Sequence, residues 1–92
     1  MKFEWDTTKA TANFRRHEVS FEEATTVFGD RLARTYEDPD HPDSEPRELT
    51  FGFSSQGRAL VVSHCERGVR LRIISARPMT RRERRQYEED ND

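Results

Sequence analysis

Between Glu48 and Ala76 the chain has room for three strands and almost nothing else. Glu48–Ser54 alternates, with Leu49, Phe51 and Phe53 on one face. Ser55-Gln56-Gly57 then offers a hairpin turn into Ala59–Cys65, whose continuous apolar run is that of a central strand. Arg67-Gly68 turns the chain again into Val69–Ala76. Turns this short allow only antiparallel neighbours, so the segment predicts a meander.

A half-apolar sheet needs cover, and the preceding residues predict it. Lys2–Trp5 reads as an opening strand with Phe3 and Trp5 on one face. Asp6 is an N-cap for a helix to about Arg16, with Ala10 and Phe14 four apart on one side. Ser20 and Glu23 have capping-box spacing, and Val19 and Ala24 the spacing of a hydrophobic staple. Phe21, Ala24, Val27 and Phe28 repeat at helical intervals until Gly29 stops the second helix. Residues 33–37 are read as a further strand and 38–46, DPDHPDSEP, as a polar loop. The expected fold is α+β: a small, twisted, mainly antiparallel sheet packed against two N-terminal helices, with a C-terminal helix. One domain is expected over 1–88, with an acidic flexible tail at 89–92.

Composition narrows the function. Ninety-two residues, 32% hydrophobic and 37% charged, allow one compact core. The single cysteine, Cys65, excludes an internal disulfide and reads as a small core residue. No Cys/His grouping has zinc spacing, and the reading calls for neither metal nor cofactor. No run of about 18 apolar residues is present, so a cytoplasmic protein is expected. The net charge of −2 conceals a segregation: residues 17–48 carry −7 and residues 57–87 carry +7. Such a basic half beside an acidic one points to a phosphate-bearing partner.

That charge is concentrated in Val69–Tyr87, which holds seven arginines against one acid, Glu83. It reads as a strand, a two-residue break at Arg77-Pro78, and a helix capped by Thr80 and Glu83. Alternation puts Val69, Leu71 and Ile73 on one strand face, with Arg70, Arg72 and Ile74 on the other. Arg81 and Arg82 fall in the first turn, where cations oppose the helix dipole and a bound phosphate would reverse the sign. Arg77, Glu83 and Tyr87 supply a cation, a carboxylate and a phenol around one element. Those types suit RNA cleavage by its own 2′-hydroxyl, which needs a base, charge on the pentacovalent phosphate, and an acid. Glu83 also has a purely structural reading in its capping box, and Tyr87 one as cover for the sheet. His64, facing with Leu60 and Val62, reads as a core histidine, with an acid–base role open if that face borders the cleft. His17 is placed as a helix C-terminal dipole partner, and His41 belongs to the acidic loop.

Taken together, these residues resemble the BrnT family of prokaryotic type II toxins. The resemblance rests on Phe3–Asp6, Lys9, Asn13, Arg16-His17, Val19–Ala24, Asp38–His41, Gly57-Arg58, Leu60–Val62, Glu66–Gly68 and RIISAR (Arg72–Arg77) followed by Glu83 and Tyr87. It implies a RelE-like fold and a metal-independent endoribonuclease that arrests growth. It also implies a BrnA-like antitoxin with a ribbon-helix-helix DNA-binding domain, a hetero-oligomer with that antitoxin, and DNA contact only through it. By the resemblance, Arg77 is the first candidate for the scissile phosphate, with Glu83, Tyr87 and His64 as further catalytic candidates. Lys9, Arg16, His17, Arg58, Arg67, Arg72 and Arg81 are candidates for RNA contact. Glu18 stands where the family often has glycine, which is expected to weaken any special backbone geometry there. Cys65 stands where threonine is expected. A non-catalytic basic module, or a degenerate toxin kept as an antitoxin scaffold, is the alternative reading.

Overall fold

A computed structural model describes residues 1–40 and 46–91. The expectations for His41, for the rest of the acidic loop to residue 45 and for Asp92 lie outside the described residues. Five strands form one mixed sheet: β1 (Lys2–Glu4), β2 (Arg34–Glu37), β3 (Glu48–Phe53), β4 (Ala59–Arg67) and β5 (Arg70–Pro78), in the order β1-β5-β4-β3-β2. β3, β4 and β5 pair antiparallel as their short turns require, and β2 pairs antiparallel with β3, whereas β1 runs parallel to β5 over Lys2–Glu4 opposite Arg70–Arg72. The sheet places β1 beside the last strand, a pairing that crosses the length of the chain.

Helices α1 (Thr7–His17) and α2 (Phe21–Thr26) cover one face of the sheet, and a 3-10 turn follows at Val27–Gly29. The Asp6 carboxylate accepts from the Thr8 and Lys9 amides, and Ser20 Oγ accepts from the Glu23 amide, as the capping signals require. The second helix is shorter than its periodicity implies, because its last apolar residues continue as the 3-10 turn. The core lies between these helices and the sheet: Val19, Phe21, Ala24, Val27, Leu60, Val62, Ile73 and Ala76 are buried, with Phe3, Trp5 and Phe28 packed against them. Glu18 takes the left-handed conformation at φ 57°, so the geometry that a glycine would supply is kept without one.

Two short edge strands leave backbone groups that side chains complete. β1 stops opposite Arg72, and beyond it Asn13 Nδ2 donates to the Ala76 carbonyl (2.9 Å) while its Oδ1 accepts from the Ala76 amide (3.1 Å). β2 reaches only to Phe51, and the Phe53 amide donates instead to Asp30 Oδ2 (2.8 Å). Gly52 makes that approach possible, since a Cβ there would lie 3.1 Å from the same oxygen and 3.0 Å from Val27. Helix α3 (Arg81–Asp90) crosses the other face of the sheet. It continues into the segment expected as a tail: the Asp90 carbonyl accepts from Arg34 (2.7 Å) and Asn91 Nδ2 donates to the Tyr87 carbonyl (2.9 Å).

Candidate active site

The site starts with a bulge. Ser63 pairs with Ser75 but His64 with Ile73, so Ile74 is an extra residue in β5. One extra residue exchanges the faces of everything after it. Leu71, Ile73 and Ala76 all turn to the core, and Arg70, Arg72, Ser75 and Arg77 share the opposite face. Simple alternation would send Arg77 into the core with Leu71 and Ile73. The strand also runs through Arg77 to Pro78, and the break before the helix is Met79-Thr80 rather than Arg77-Pro78.

Thr80 then caps α3, and both halves of the capping box form: Thr80 Oγ1 accepts from the Glu83 amide (3.1 Å) and Glu83 Oε1 accepts from the Thr80 amide (2.8 Å). The same carboxylate receives Arg77 in a two-pronged pair, Nη1 to Oε1 at 2.8 Å and Nη2 to Oε2 at 2.9 Å. The hydrogen bonds from Arg77 push the Glu83 carboxyl down to about 2, against the opposing effect of burial, and the Thr80 amide adds to them. Glu83 is thus ionised and saturated with donors at neutral pH, a poor proton acceptor. The Arg77 side chain remains 38% exposed, so part of its donor fork faces solvent.

Tyr87, one turn further along α3, is buried against Phe53 with ring centroids 5.7 Å apart. Its hydroxyl donates to Asp30 Oδ2 at 2.6 Å. Burial and that bond push its pKa up to about 12, so the phenol holds its proton tightly. Burial works against ionisation of Asp30, but the Phe53, Tyr87 and Leu32 donors together outweigh it and keep it below the ordinary aspartate range. Asp30 therefore ties α3, β3 and the chain leading into β2 into one joint. Sequence reasoning missed Asp30; a lone acid after a helix-stopping glycine is the only local signal.

Apart from Arg81, the remaining candidates do not gather at Arg77. His64 sits on the helix-covered face, 2% exposed, with Nε2 2.7 Å from Thr50 Oγ1 and its ring edge-on to Phe28. Burial pushes its pKa down to about 4. It lies on the opposite side of the sheet from Arg77, which removes the open acid–base reading and leaves the core histidine. Arg58 grips buried Glu23 (Nε to Oε2 3.0 Å, Nη2 to Oε1 2.5 Å) and donates to the Glu18 carbonyl. Its guanidinium staples α2 to the β3–β4 turn and is committed there, while Glu23 makes this pair instead of the second half of its capping box. Arg72 pairs with Glu4 at 2.8 Å. Arg67 stands opposite Arg70 at the far end of β5, roughly 20 Å from Arg77 at strand spacing. Arg81 is exposed in the first turn of α3, next to the site. Lys9 and Arg16 are exposed on the flank of α1 beside Asn13, the residue that meets β5 at Ala76, and His17 closes the same helix. Among the described residues, no three His, Cys, Asp or Glu side chains are grouped to hold a metal.

A model of the family described as ribonuclease toxin, BrnT, of type II toxin–antitoxin systems matches residues 5–83. The chain belongs to the BrnT family. The match spans both helices, the whole sheet after β1, and the Arg77–Glu83 pair, ending on Glu83 itself. The crystal structure of the Brucella abortus ribonuclease toxin BrnT superposes with a TM-score of 0.68, covering 88% of this chain and 99% of that one at 21% identity. At that identity the likeness establishes the fold, the five-stranded sheet with three helices. No curated protein matches the sequence. Membership of a type II BrnT family makes this a ribonuclease toxin with an RNA target and an antitoxin partner. No described helix is long and apolar enough to cross a membrane.

Proposed function

We propose that this BrnT chain is a RelE-like, metal-independent endoribonuclease of the cytoplasm, and that Arg77 contacts the phosphate at which RNA is cut. The observation that carries the reading is the half-exposed Arg77 guanidinium, held by Glu83 at the strand–helix junction with Arg81 beside it. A planar donor fork fixed in this way suits the equatorial oxygens of a pentacovalent phosphate, and its charge is present before the reaction begins. Glu83 enters as the residue that positions Arg77, and Tyr87 as the pillar that seats α3 on the sheet. In this reading the nucleophile is the 2′-hydroxyl of the RNA. A BrnA-like antitoxin with a ribbon-helix-helix domain neutralises the toxin and supplies the only contact with DNA.

One observation favours the alternative of a basic module that binds RNA without cutting it. Glu83 is ionised and already holds three donors, so it is a poor base, and the Tyr87 phenol, bound to Asp30 and pushed up to about 12, keeps its proton. A single experiment separates the readings. Incubated with single-stranded RNA and a chelator, the purified toxin is expected to yield fragments ending in 2′,3′-cyclic phosphate. Retention of intact RNA on the protein with no products across several sequences would establish the binding module, and products that require a divalent metal would refute the metal-independent mechanism.

A further inference from the structure

We propose that the cleft between α3 and the β2–β3 edge of the sheet is a nucleobase subsite, in which Tyr36 stacks a base of the RNA chain next to the phosphate at Arg77. This rests on the reading of the protein as an RNA-cutting toxin and names how the same site grips its substrate. The cleft encloses about 360 Å³, a volume within the range of small-ligand sites, and its floor is Leu49, Phe51 and Tyr36. Tyr36 is 48% exposed and meets Phe51 in a T-shaped contact at 5.8 Å and 75°, so about half of the residue stays open beside an apolar floor. Its hydroxyl donates to Asp90 (3.3 Å), which also accepts from Gln86 (3.0 Å), and this holds the ring from its tip.

Charge and continuity choose the occupant. Arg34 and Arg82 stand on opposite walls, and Arg82 makes no hydrogen bond or ion pair among the described residues. An apolar, aromatic floor between cations matches a chain of flat bases on a polyanionic backbone. Glu83 both lines the cleft and holds Arg77, so a base seated there lies one side chain away from the phosphate site. Tyr36 is thereby a contact for the base flanking the cut.

The test uses an RNA that cannot be cut, a fluorescent 2′-O-methyl heptanucleotide, with binding to purified toxin followed by anisotropy across several salt concentrations. Tyr36→Ala should weaken binding about ten-fold with the salt dependence unchanged, since a stacked base and no phosphate contact is lost. Tyr36→Phe should stay within about two-fold of wild type. An abasic nucleotide at the stacked position should weaken the wild type equally and add nothing in Tyr36→Ala. Wild-type affinity in Tyr36→Ala, or abasic penalties that persist in full in that variant, would overturn the proposal. So would weakened antitoxin binding with RNA affinity intact, which would assign the cleft to the protein partner. The substrate is uncuttable, so a toxin that proves unable to cleave leaves this result standing on its own.

Discussion

Glu83 accepts two hydrogen bonds from Arg77 and one from the Thr80 amide, and all three favour its ionised form. A carboxyl held near 2 in the folded chain and near 4.5 unfolded stabilises the fold above about pH 4.5, and that contribution is lost as the pH falls toward 2. The side chain is partly solvated, so the effect at neutral pH is about 1–2 kcal/mol after screening. Glu83→Gln should therefore lower Tm by roughly 5–10 °C. It should also slow RNA cleavage without removing the acidic limb of the pH–rate profile, because the residue orients Arg77 and moves no proton. Loss of that limb in the variant would make Glu83 the base after all. The capping spacing of Thr80 and Glu83 was readable from the chain itself. The second duty of the carboxylate was not, because it depends on which face Arg77 takes, and the bulge at Ile74 decides that.

At the level of elements, two short edge strands explain two polar residues that periodicity passes over. Asn13 completes β5 at Ala76, 63 positions away, and Asp30 completes β3 at Phe53. Both replace a missing neighbouring strand, and Asp30 in addition receives Tyr87. Tyr87→Phe removes one charge-assisted bond while keeping the ring against Phe53, and should cost about 1–2 kcal/mol in denaturant unfolding. RNA cleavage should persist, since the phenol is pinned and gives up no proton. Abolished cleavage in a folded Tyr87→Phe protein would restore it to the chemistry. Turns, caps and the β3–β4–β5 meander were legible because their causes lie within a few residues. The parallel β1–β5 pairing, the Glu23–Arg58 staple and the bulge were not, because their causes lie far apart in sequence and meet only on folding.

Over the whole molecule, several charged side chains pair between elements that are far apart in sequence. Glu4 meets Arg72, Glu23 meets Arg58, and the end of α3 meets Arg34, while Arg81, Arg82 and Arg85 stay exposed on α3. The basic charge next to Arg77 is thus confined to the first half of α3, where Arg81, Arg82, Arg84 and Arg85 precede Glu88, Glu89 and Asp90. Stability should fall on mild acidification because of the buried histidine on the other face. His64 is held near 4 when folded against 6.5 when free, so the unfolded chain binds the extra proton between those values. Stability is full above about pH 6.5 and declines below it, by up to about 1.4 kcal/mol per pH unit. His64→Gln should flatten that part of a Tm-against-pH curve, whereas an unchanged slope would move its origin to other groups. The function itself turns on Arg77, and the most direct test is the single-turnover rate of RNA cleavage by Arg77→Ala at saturating protein, with chelator present and folding checked by circular dichroism. The rate should fall at least about a hundred-fold, with Tm lowered about as much as in Glu83→Gln because the same ion pair is lost; a folded Arg77→Ala protein that cuts RNA at the wild-type rate would contradict the account.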